Sequence, residues 1–265
     1  MKNKSAKWWG TFNVDPTQML FWEIGPLLLG IERFSHEWRI VSDFLKDADS
    51  SNLKIATPTS PGFDKKNLIF KRFAFHQTTS AMTLTPVLAD RAQVSRPEEP
   101  FYLPAKEHTT LYISSPAWIR LEAGPQNMVL HEIPTLRLSD TWYGPNTFEG
   151  DLCYASQTFC RTQLTELPRR PYRVVTPVKI YNNSASTLPL EQLSLPLPFL
   201  SIFADEHGAL WTEEIIVKHE NHQEHSVTQS KGAPKIAHKA VLVSSPRLAL
   251  KSSNLMTMFY HLLTE

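Results

Sequence analysis

The chain has 265 residues, with 27 Lys plus Arg against 26 Asp plus Glu, a formal net charge of +1. That length buries a core large enough to stand without disulfides or a structural metal, and the even charge balance argues against a dedicated nucleic-acid binder. Nine glycines leave no phosphate loop or dinucleotide fingerprint, while twenty prolines cut the apolar segments into strand lengths of about five to eight residues.

The opening Met1-Lys2-Asn3-Lys4 is not followed by an apolar run and does not read as a secretory signal. The longest apolar stretch, Met19 to Ile31, is interrupted by Glu23, Gly25 and Pro26 and is too short for a bilayer core of about 30 Å. No membrane span is expected, and the cytoplasm is the expected compartment. Phe21 to Ile24, Leu27 to Glu32 and Glu37 to Val41 predict a strand meander, turned at Gly25-Pro26 and at Ser35-His36. Phe44 to Asp64 reads as irregular. Within it, Asp47 to Asn52 starts like a calcium loop but lacks the glycine at the sixth position and the distal Glu.

Period-two alternation predicts strands at Leu68–Phe75, Thr110–Ser114, Arg173–Tyr181 and Gln192–Leu197. Val94 to Pro100 reads as an extended proline-bearing crossing that divides a module at 1–95 from one at 96–265, the alternative being one continuous domain. Asn182-Asn183-Ser184 and Asp205-Glu206-His207-Gly208 predict short antiparallel connections. A faint echo, Thr85-Pro86-Val87 and Thr176-Pro177-Val178, fits two related modules. Leu255, Met258, Phe259, Leu262 and Leu263 recur at helical spacing and predict a C-terminal amphipathic helix. The expected fold is therefore all-β: two packed antiparallel sandwich-like modules with that helix lying across one of them.

Leu138 to Tyr154 is the densest block of reactive and aromatic side chains. Asp140, Glu149 and Asp151 are candidate acid/base or cation-binding groups, and Trp142, Tyr143 and Asn146 are candidate ligand contacts. The same composition also arises from Asx turns, solvated charges and core aromatics. Cys153 and Cys160 are expected as free thiols.

His219, His222 and His225 are weak metal candidates: one strand would place His222 opposite the other two, and no second ligand group follows. Glu220 to Pro234 reads as a polar loop. Seven tryptophans admit a sugar-stacking platform, but most lie in alternating strand patterns that suit a core. No cofactor is expected.

Trp22-Glu23-Ile24-Gly25-Pro26-Leu27, Glu37-Trp38-Arg39-Ile40, Leu88-Ala89-Asp90-Arg91, the Ser139 to Tyr154 block, Thr176-Pro177-Val178 and Leu210-Trp211-Thr212 resemble the domain-of-unknown-function family numbered 432. The resemblance implies a prokaryotic housekeeping or accessory protein and transfers no catalytic residue or cofactor. The leading expectation is a non-catalytic binding or assembly module for a protein partner or small ligand. A hydrolytic or sugar-processing enzyme built on the Asp140, Glu149 and Asp151 carboxylates is the alternative, and a histidine-loop metal binder is the third.

Overall fold

The computed structural model describes residues 7–47, 50–60, 62–63, 68–144, 149–158, 161–168, 170–221 and 224–249. The chain divides into two compact units, one holding 1–87, 116–137 and 170–172, the other holding 88–115, 138–169 and 173–265. The first unit receives β1 (Gly10–Asn13), β2 (Met19–Ile24), β3 (Leu27–Arg33), β4 (Glu37–Phe44), β5 (Leu53–Thr57), β6 (Ile69–Ala74) and β7 (Ala81–Val87). The second then takes β8 (Gln93–Pro97), β9 (Phe101–Leu103) and β10 (His108–Pro116). The chain returns to the first for β11 (Trp118–Ala123) and β12 (Met128–Pro134).

It finishes in the second unit with β13 (Ser139–Tyr143), β14 (Asp151–Thr158), β15 (Arg173–Asn182), β16 (Leu188–Leu190), β17 (Leu193–Leu195), β18 (Ile202–Ala204), β19 (Leu210–Trp211), β20 (Ile215–Asn221), β21 (Glu224–Gln229) and β22 (Val241–Ser244). The only helical turns among the described residues are two 3-10 turns, Leu164–Glu166 and Leu197–Phe199. The expected helix over 255–263 lies outside the described residues.

The first unit holds a five-stranded sheet, order β5-β2-β3-β4-β6, and a four-stranded sheet, order β1-β7-β11-β12, all antiparallel. Alternation sends Trp22, Ile24, Leu27, Leu29, Ile31, Trp38 and Ile40 into the core, where they are fully or almost fully buried. The Phe12 ring of β1 meets Trp22 of β2 edge-on, with centroids 5.3 Å apart, so side chains of the two sheets share that core. The meander of β2, β3 and β4 matches the expected one closely, with a two-residue turn in which Gly25 takes φ +59. The segment expected to be irregular at 44–64 contains β5, a bulged edge strand held by the Glu23–Lys54 ion pair at 2.7 Å.

The second unit is less uniformly antiparallel than expected. β15 is the centre of a seven-stranded sheet and runs parallel to both β19 and β20, and β14 runs parallel to β8. Pro177 is tolerated in this central strand because it falls between the residues paired to β19 and those paired to β20. The expected crossing at 94–100 contains β8, a strand inside the sheet β13-β14-β8-β17. Its buried Gln93 donates to Ser95 Oγ at 3.0 Å, which makes a polar strand compatible with burial.

Asn182 does not turn a hairpin. Its buried amide donates to the carbonyls of Leu103, Pro104 and Ser186, and the chain goes on to β16, which pairs with β9. The Asp205 turn does form the expected hairpin. Its carboxylate accepts the His207 and Ala209 N–H groups and the Trp211 indole N–H.

A Cβ at Gly25 would fall inside the van der Waals envelope of the buried Tyr172 ring, on a backbone already at φ +59. Gly25→Ala is expected to lower unfolding free energy by roughly 2 to 4 kcal/mol, read as a fall in the urea midpoint. A shift below the precision of that midpoint would contradict the packing.

Candidate binding hairpin

The 138–154 block folds into the hairpin of β13 and β14, with β13 forming one end of its four-stranded sheet. Two glycines close its mouth. A Cβ on Gly144 would overlap the Glu149 carbonyl, and one on Gly150 would lie 2.6 Å from the Tyr143 carbonyl oxygen, so backbone packs on backbone there. Register fixes what each side chain does. Asp140 lies opposite Tyr154, Thr141 opposite Cys153, Trp142 opposite Leu152 and Tyr143 opposite Asp151. Opposed residues share a face and successive residues do not.

The inner face carries Tyr143 and Cys153, which pack with Ala92 and Val94 into a small core. Burial, reinforced by the nearby Asp151 carboxylate, pushes the Cys153 thiol up to about 11. Burial likewise raises the Tyr143 hydroxyl well above its ordinary value. Both groups are protonated at neutral pH, and Cys153 there is a packing residue, not an activated nucleophile.

The outer face carries Asp140, Trp142, Leu152 and Tyr154. Trp142 and Leu152 are a directly opposed apolar pair left 45% and 46% exposed. Beside them Arg91 Nη1 donates to Asp140 Oδ1 at 3.2 Å, its guanidinium carbon lies 5.3 Å from the Tyr154 ring centroid, and the Tyr154 hydroxyl donates to Asp90 Oδ1 at 2.8 Å. Burial and the Asp90 hydrogen bond push the Tyr154 hydroxyl up to about 12, so it remains a donor across the neutral range. The face is therefore an exposed apolar pair bordered by a charge-paired polar cluster.

The candidate carboxylates do not converge as a set. Asp140 sits on the outer face in an ion pair, Asp151 shares the opposite face with Tyr143, and Glu149 is exposed at the hairpin mouth. Trp142 and Tyr143 occupy opposite faces, and Asn146 lies outside the described residues. The expected polar loop at 220–234 contains a hairpin strand: β20 and β21 pair, with a buried His219 in register with position 225. His222 and the side chain of His225 lie outside the described residues. No group of three or more His, Cys, Asp or Glu arranged for a metal occurs among the described residues. Asp90, Arg91 and Leu152 were not among the candidate site residues, although Leu88-Ala89-Asp90-Arg91 and the 138–154 block that contains Leu152 both stood out in the sequence.

Residues 8–263 match the model of the family described as Protein of unknown function (DUF432). No match was found among curated proteins or among solved structures. No helix among the described residues is long and apolar enough to cross a membrane.

In a Cys160→Ser background, alkylation of Cys153 at pH 8 is expected to be about a hundredfold or more slower in the folded chain than in urea. Labelling rates followed by mass spectrometry check this, and comparable rates in the two states would contradict a buried, protonated thiol.

Proposed function

Because the chain belongs to the DUF432 family, which supplies no activity to inherit, we propose on the hairpin's own geometry that it is a non-catalytic binding or assembly module. In this reading its units are β-sandwiches, and a protein partner rests on the outer face of β13–β14. The observation that carries it is the exposed Trp142–Leu152 pair. Exposed Trp beside Leu costs solvation in a free chain, and an aromatic anchor surrounded by polar and charged groups is the usual composition of a binding hot spot.

The rest of the hairpin supports the same reading. Tyr143 and Cys153 seat the inner face on a core, so the pair is presented on a rigid strand, not on a loop. The position of β13 at the end of its sheet suits it to receive an extended segment of another protein more than a small molecule. The Arg91–Asp140 and Tyr154–Asp90 contacts would fix orientation at the rim. The proposal places the protein in a prokaryotic cytoplasm as an accessory factor. The acid/base reading draws no support from Asp140 and Asp151 lying on opposite faces.

A photo-reactive amino acid at Leu152, introduced in cells, is expected to give a discrete cross-linked protein species. The same group at exposed Met128 of the other unit gives none, and Trp142→Ala removes the Leu152 product while lowering stability by only about 1 to 2 kcal/mol, which leaves the chain folded. Equal products from Leu152 and Met128, or a Leu152 product indifferent to Trp142→Ala, would reject this surface.

A further inference from the structure

We propose that the β22 edge of the second unit is a shallow interfacial anchor that rests on an anionic lipid surface. It is a separate surface from the hairpin and does not depend on the reading above. Among the described residues β22 is an end strand of the seven-stranded sheet and pairs only with β18, through a bulged register. Val241 and Leu242 are successive residues and so lie on opposite faces, yet they are 60% and 56% exposed. Both faces of the strand are thus open, and the edge stands out as an apolar ridge. Leu248, 51% exposed and four residues past the end of β22, is held where its N–H donates to the Pro198 carbonyl at 3.0 Å. Ile236 adds a fourth exposed aliphatic just before the strand.

Charge decides what such a ridge fits. The whole chain is almost balanced, but residues 231–249 contain Lys231, Lys235, Lys239 and Arg247 and no Asp or Glu. Lys231 and Lys235 are exposed, and Lys239 pairs with Glu206 of the neighbouring hairpin at 2.8 Å. Arg247 is tied down by donating to the Leu88 carbonyl at 2.6 Å and serves as a strut.

A second copy of the chain would bring two cationic, carboxylate-free segments together, and like charges oppose it. A nucleic acid strand would leave four aliphatic side chains without a partner, and the segment has no Phe, Tyr or Trp on which bases could stack. Anionic headgroups above acyl chains satisfy both the lysines and the aliphatics. Peptide groups on the side of β22 away from β18 have no partner among the described residues and need water, which limits insertion to headgroup depth.

Flotation of the full chain is the test, using vesicles of phosphatidylcholine alone and of phosphatidylcholine mixed with phosphatidylglycerol. Binding to the mixed vesicles only, weakened by salt, is expected. Lys231→Glu/Lys235→Glu lowers that affinity about thirtyfold, and Val241→Ser/Leu242→Ser lowers it about tenfold. The control pair Met128→Ser/Val129→Ser, equally exposed on the first unit, leaves it unchanged. Circular dichroism and urea midpoints establish that all three variants are folded.

Absence of binding to either vesicle overturns the proposal, as does equal binding to both or equal loss in the control pair. A concentration-dependent dimer abolished by Val241→Ser/Leu242→Ser, with no vesicle binding, assigns the ridge to a second copy and overturns it as well.

Discussion

In a pleated strand, neighbouring side chains cannot share a face, and this parity rule governs both what is buried here and what is presented. In β2, β3 and β4 it delivers Trp22, Leu29 and Trp38 to one core. In the β13–β14 hairpin it divides a chemically dense block into two surfaces with different tasks. Tyr143 and Cys153 hold the hairpin down, which is what allows Trp142 and Leu152 to be held up. A slip of one residue would exchange the two sets and expose a tyrosine and a thiol while burying an ion-paired aspartate.

A chain with twenty prolines and many buried polar groups needs specific accommodation to remain a set of sheets. Two of the strand prolines sit where a ladder ends or changes partner, Pro97 at the end of β8 and Pro177 within β15. Buried polar groups are matched to particular atoms. Asn182 holds three carbonyls, Thr212 donates to Thr176 at 3.0 Å, and the buried Glu213 carboxylate accepts the Ser201 N–H at 2.8 Å. The first two tie a connecting segment to a strand and the third ties two connecting segments to each other, so these irregular segments are fixed by specific hydrogen bonds.

The all-β character was legible because alternation and turn residues agree locally, as in the Gly25-Pro26 hairpin and the Asp205 turn. The strands that escaped notice are those whose burial is set by distant partners. β8 is polar and proline-bearing yet central, because β14 and β17 flank it. β21 is rich in His, Gln and Ser, and is a strand because β20 pairs with it. The same difference applies to the hairpin. Trp142 stood out in sequence, but the separation of Asp140 from Asp151 by opposite faces depends on where the turn closes. Arg91 lies 49 residues from its partner Asp140. No local spacing encodes either fact.

The binding surface requires Trp142 and Leu152 to be directly opposed on one face, with Cys153 on the other. Opposed residues of an antiparallel pair have Cα atoms about 4.5 to 5.5 Å apart, within reach of a disulfide. In a Cys160→Ser background, mild oxidation of the Trp142→Cys/Leu152→Cys variant followed by peptide mapping is the most direct measurement. Linkage of positions 142 and 152, with Cys153 still reduced, is the result this register requires. Linkage of position 142 to Cys153 instead would mean that the strand faces are exchanged and that the binding surface described above does not exist.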